Sequence, residues 1–105
     1  MSVRFYYTET FVISAKNSRL EKQSIVELID DFEQKLTPYP EICEVSGMLR
    51  DLGVSKYREF LSRNGYRIFY SVLKNNLNEH HVTAHVLIHQ RQDMQSLLFN
   101  RLLEY

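Results

Sequence analysis

The chain has no tryptophan, one cysteine, two prolines, three glycines and a formal net charge of zero in 105 residues, and each scarcity excludes something. A lone thiol, Cys43, rules out an internal disulfide framework and agrees with a reducing compartment. So little Pro and Gly argues against a low-complexity or linker-rich chain, and no repeat is visible. No apolar run approaches the roughly 20 residues that span a bilayer, and Met1-Ser2-Val3-Arg4 leads into aromatics rather than a signal-peptide core, so a cytoplasmic protein is expected. With 44% apolar and 25% charged residues, what remains is an ordinary globular composition, long enough for one domain over 1–105.

The zero net charge conceals an asymmetry. Residues 1–55 carry six Lys/Arg against nine Asp/Glu, a balance of −3, whereas residues 56–105 carry seven against four, +3, together with all four histidines. Charge of one sign gathered in one half steers an anionic partner toward it, although two halves of a small domain also differ this much without consequence.

Val3, Phe5 and Tyr7 alternate with Arg4, Tyr6 and Thr8, the period of a half-buried strand. Residues 10–16 fit either a continuation of that strand or a short helix. Asn17-Ser18 then supplies an N-cap for a helix whose apolar positions Ile25, Leu28, Ile29, Phe32 and Leu36 recur every three or four residues, until Pro38 and Pro40 stop it. Between Glu41 and Gly53 the pattern is irregular, with Ile42, Val45, Met48, Leu49 and Leu52 as core candidates.

Lys56–Leu61, Tyr66–Leu73 and Val82–His89 read as three strands of an antiparallel meander, broken by turn residues at Asn64-Gly65 and over 75–79. Strict alternation puts Tyr66, Ile68, Tyr70 and Val72, and Val82, Ala84, Val86 and Ile88, on the face that packs on the helix. It displays Arg67, Phe69, Ser71, His81, Thr83, His85, Leu87 and His89 on the other. Phe69, Leu87 and Leu73 are thereby expected to be exposed, a surface for a partner to cover. Met94, Leu97, Leu98 and Leu102 suit a short amphipathic C-terminal helix. The predicted fold is α+β: a small antiparallel sheet with N-terminal helices on one face.

Strand, helical segment, Pro-rich stop, then Tyr57-Arg58-Glu59, Tyr66-Arg67-Ile68 with Tyr70, and the closing His89, Arg91 and Asp93 together resemble the RelE/ParE superfamily, the toxins of bacterial type II toxin–antitoxin modules associated with plasmid stabilisation. The resemblance covers Phe5 to Asp93 and rests on the order and spacing of motifs that are individually short. It implies a small antiparallel sheet with helices on one face. It also implies an antitoxin partner, co-encoded and partly disordered, through which any DNA contact is indirect, and no cofactor.

Two activities occur in that superfamily. RelE-like members cleave ribosome-bound mRNA with sheet arginines and lysines and a Tyr, Glu or His near the C-terminus; ParE-like members inhibit DNA gyrase. On the RelE pattern, Arg67 and Arg91 match the sheet arginines and Arg58 replaces a lysine, while Phe60 stands where a basic residue is expected. Leu97, Leu98 and Phe99 occupy the region of the catalytic aromatic, and no tyrosine follows Arg91 until Tyr105. The H-x-R-x-D ending and the neutral charge look more like ParE. The expectation is a gyrase-directed toxin, with a ribosome-dependent endonuclease or a degenerate, non-toxic binding module as alternatives. Target or antitoxin binding is expected of Arg58, Arg67, Phe69, Leu87, His89, Arg91 and Met94. If the protein is a nuclease, Arg67, His85, His89 and Arg91 are the catalytic candidates, because cleavage by a 2′-hydroxyl needs a base, an acid and cations at the phosphate.

No metal site is expected. His81, His85 and His89 share a predicted strand face, but four residues of strand span about 13 Å at roughly 3.3 Å per residue, too far for two ligands of one ion. Cys43 has no His or Asp in a recognisable arrangement and reads as a small packing residue.

Overall fold

The computed structural model describes residues 2–47, 50 and 56–89. Within them lie β1 (Ser2–Tyr7), α1 (Glu9–Lys16), α2 (Lys22–Leu36), β2 (Arg58–Leu61), β3 (Tyr66–Lys74) and β4 (Glu79–His89). The four strands form one sheet in the order β1-β4-β3-β2, so the α+β class is as expected. β2, β3 and β4 are the antiparallel meander. β1 joins the far edge of β4 in parallel, Ser2 opposite Glu79 through Tyr7 opposite Ala84, which makes the sheet mixed rather than wholly antiparallel.

Residues 10–16 are helical. Thr8 caps α1 by accepting from the Phe11 amide at 3.0 Å. Asn17, expected to open the second helix, instead closes the first. The chain turns through Arg19 at φ 68°, and α2 begins at Lys22 behind Glu21. The predicted stripe is the buried one: Leu28, Phe32 and Leu36 are inaccessible, and Ile25 and Ile29 pack at its margin. The Phe32 ring meets Phe5, Phe60 and Tyr70 edge to face at centroid distances of 5.9, 5.4 and 5.4 Å, so one helix residue ties three strands together. Truncating such a ring costs about 3–5 kcal/mol.

Both hairpin turns lie where expected. Gly65 takes φ 85° after Asn64, and Asn78 takes φ 59° while Asn75 Oδ1 accepts from the amides of Leu77 and Glu79. Between α2 and β2, Pro40 is buried and Cys43 packs against the core, but Ile42 is exposed; Val45 bridges to Arg58. Met48, Leu49, Leu52 and the C-terminal helix expected from Met94 lie outside the described residues.

Strict alternation fails in β4. Phe69 pairs with Val86 and Tyr70 with Ala84, leaving His85 as an extra residue, a β-bulge. From there on the faces exchange. Leu87 opposes Ile68 and enters the helix-side core, against the expectation that it is displayed. Val86 and Ile88, expected against the helix, oppose Phe69 and Arg67 on the far face. Around the bulge that face is buried as well, with Phe69, Val86, Ile88 and Tyr57 all inaccessible. Phe69 is therefore not an exposed anchor; Leu73 is, at 73% exposure.

Helix α1 holds the bulge in place. The Thr8 amide donates to the Ala84 carbonyl at 3.1 Å and its hydroxyl to the His85 carbonyl at 3.0 Å. Ser14 Oγ accepts from the buried Leu87 amide at 3.0 Å while donating to the Phe11 carbonyl. Two hydroxyls thus replace the backbone partners that β4 loses where β1 ends. Among the described residues no helix is long and apolar enough to cross a membrane.

Candidate functional site

The bulge and the β2–β3 pairing together build a polar cluster on the far face. Ser71 and Arg67 stand on β3 at two-residue multiples from Phe69, so all three share that face. His85 follows the helix-side Ala84 and so lies on the same face, where its Nε2 is 2.7 Å from Ser71 Oγ and its ring meets Tyr57 edge to face at 4.9 Å. Lys56 Nζ sits 5.0 Å from the centre of the Tyr57 ring. Burial, aided by the Lys56 charge, lowers the His85 pKa to about 4. At neutral pH the imidazole is uncharged, and a base this weak is far from the pKa near the working pH that proton transfer favours.

Arg67 lies nearby on the same face but is committed. Its Nη1 donates to Glu59 Oε2 at 2.9 Å across β2 and β3, with both side chains about three-quarters buried. Its Nε is buried with no partner among the described residues. Cross-strand geometry explains the pair: Glu59 opposes Phe69 and Leu61 opposes Arg67, so the two charged groups are diagonal neighbours.

The other expected residues lie elsewhere. Arg58 belongs to the edge beside Tyr70, where Nη1 donates to the carbonyls of Cys43 at 2.7 Å and Glu41 at 3.1 Å. Tyr70 donates to the Pro40 carbonyl from the next strand, so both residues fasten the segment that follows the Pro-rich stop. Burial first, and then the Cys43 thiol, hold the Tyr70 phenol well above its ordinary range. His89 opposes Tyr66, with ring centroids 4.8 Å apart, on the helix-side face reached after the bulge. The Tyr66 hydroxyl in turn donates to the Ser18 carbonyl between α1 and α2. Phe69 and Leu87 are buried on opposite faces of the sheet. Arg91 and Met94 lie outside the described residues.

Of the nuclease candidates, then, Arg67 and His85 share a face and His89 does not. Tyr57, Lys56 and Glu59 were not anticipated as their company. Alternation placed Ser71 on the same face as Arg67 and His85, and the structure adds its contact with His85.

His80 and His81 both belong to β4. His80 is buried on the helix side opposite Val3, and His81 stacks on Tyr6 at 5.4 Å on the far face. No group of three metal-ligating side chains forms among the described residues. A groove of about 420 Å³ lies between α2 and the β2 edge, lined by Asp31, Gln34, Lys35, Phe60, Leu61 and Arg63. An Arg63–Asp31 ion pair at 2.8 Å closes one wall. No family model, curated protein or solved structure matches the chain.

Proposed function

We propose that this protein is the toxin of a type II toxin–antitoxin module of the RelE/ParE kind, acting in the cytoplasm by binding DNA gyrase and neutralised by a co-encoded antitoxin. The order strand, two helices, three-stranded meander supports the resemblance on which the reading rests. One observation favours target binding over RNA cleavage: the nuclease set does not converge. Arg67 is bound to Glu59, His85 is neutral and half-buried, and His89 stands on the opposite face of the sheet. A phosphoryl-transfer site needs its base, acid and cation around one phosphate.

The test is gyrase supercoiling with purified protein, beside a translation reaction in which ribosome-bound mRNA is mapped for new 5′ ends. The proposal expects inhibited supercoiling with intact mRNA, relieved by adding the product of the neighbouring gene. Cleaved mRNA with normal supercoiling moves the assignment to the endonuclease. Neither effect, at concentrations where the protein is folded, removes the toxin reading.

A further inference from the structure

Among the described residues, one edge of the sheet, β1, has no backbone partner on its outer side. In the parallel β1–β4 ladder the amides of Ser2 and Thr8 point to β4, donating to the carbonyls of Asn78 and Ala84. Strand alternation therefore directs the backbone groups of Ser2, Arg4 and Tyr6 inward and those of Val3, Phe5 and Tyr7 outward. Among the described residues β1 pairs with no strand besides β4, and its sequence Ser-Val-Arg-Phe-Tyr-Tyr holds no Pro, Lys or bulge, with Arg4 its one charged side chain. By contrast, β2 at the other edge is partly covered: its Glu59 amide donates to the Glu44 carbonyl, and Tyr57 accepts from the Ser46 amide.

We propose that the β1 edge binds β1 of a second copy of this chain, antiparallel about a two-fold axis, to form a continuous eight-stranded sheet. The strand's own chemistry selects the register. Centring the axis on Phe5 pairs Phe5 with Phe5 of the second copy and Val3 with its Tyr7, which satisfies every outward amide and carbonyl from Val3 to Tyr7. The same register sets Arg4, exposed on the far face with its Nε 3.6 Å from Glu79 Oε2, directly opposite Tyr6 of the second copy, also exposed and already stacked on His81. A guanidinium over an aromatic face is attractive. Moving the axis to Arg4 sets two arginines opposite each other, and moving it to Tyr6 leaves Val3 unpaired; both are inferior.

Variants at Tyr6 test the assembly and its register without touching the core. Tyr6→Lys places a like charge opposite Arg4 twice per dimer, and Tyr6→Glu places an opposite charge there. Sedimentation equilibrium of the purified full chain, with circular dichroism confirming the fold, reads the result. The wild type is expected to dimerise, Tyr6→Lys to raise the dissociation constant roughly tenfold, and Tyr6→Glu to retain the dimer. A monomeric wild type overturns the proposal, as does a Tyr6→Lys variant that dimerises as tightly as the wild type. Because the readout is mass, the outcome is independent of gyrase or ribosome activity.

Discussion

An imidazole held at a pKa of about 4 is neutral throughout the physiological range, and burial rather than any ion pair does this to His85. The sign of the stability effect follows. The folded pKa is below the unfolded value of about 6.5, so the unfolded chain binds the extra proton, and the stability associated with this group is present above pH 6.5 and lost as pH falls toward 4. Discounted for partial exposure, the loss is on the order of 1 kcal/mol. Urea midpoints for wild type and His85→Gln are expected to converge between pH 7 and pH 5, because only the wild type carries this proton uptake; parallel pH curves would show that His85 does not titrate on unfolding. Arg58 makes a second residue-scale case. Its guanidinium serves two backbone carbonyls, so Arg58→Ala is expected to cost about 1.5–3 kcal/mol in urea unfolding. Any loss of the proposed toxic activity in that variant would report folding first, whereas an unchanged midpoint would return Arg58 to the proposed contact surface.

The decisive element is the stretch of β4 clamped by α1. Thr8 and Ser14 supply hydroxyls to two residues around one bulge, His85 and Leu87, and they differ in what their loss exposes. Ser14→Ala strands the buried Leu87 amide, an expected cost of about 1–3 kcal/mol, while Thr8→Ala removes a helix cap and one strand contact, about 1–2 kcal/mol. Hydrogen exchange separates the two, since Ser14→Ala should speed exchange at Leu87 itself; unchanged protection there would mean the amide has another partner. The sequence announced the elements around this point well, because α2 carries a 3.6-residue period and the hairpin turns carry Asn and Gly. It did not announce the bulge, because the pattern from Val82 to Ile88 contains nothing that breaks a strand. A signal was nonetheless present: Val86-Leu87-Ile88 is a continuous apolar run, the mark of a strand covered on both faces and flanked by neighbours. Reading those residues as simple alternation put Leu87 and Phe69 on an exposed surface, whereas Leu87 enters the helix-side core and Phe69 is buried on the far face. The parallel docking of β1 is invisible for a different reason, since two helices and some fifty residues of other chain separate it from β4 and no local pattern specifies such a contact.

At the scale of the whole molecule, zero net charge and the engagement of the far-face cations bear on the same question. Arg67 is paired with Glu59, Arg4 lies 3.6 Å from Glu79, Lys56 rests over Tyr57 and His85 is uncharged, so that face offers little to a phosphate backbone. A protein that neutralises several phosphates releases their counterions, and its affinity falls steeply with salt, with a log–log slope of roughly −0.9 per contact on duplex DNA and −0.7 on single strands. The present chain should bind a single-stranded RNA or a DNA duplex weakly, with a slope no steeper than about −2 between low and moderate salt by fluorescence anisotropy. Glu59→Gln makes the measurement sharper. Releasing Arg67 from its carboxylate while keeping the side-chain volume should steepen the slope by about one contact if the guanidinium then reaches a phosphate, and leave it unchanged if Arg67 stays folded against the sheet. A wild-type slope near −5 would mean that cations outside the far-face cluster carry a nucleic-acid interface, and it would restore the endonuclease as the better account of what this fold does.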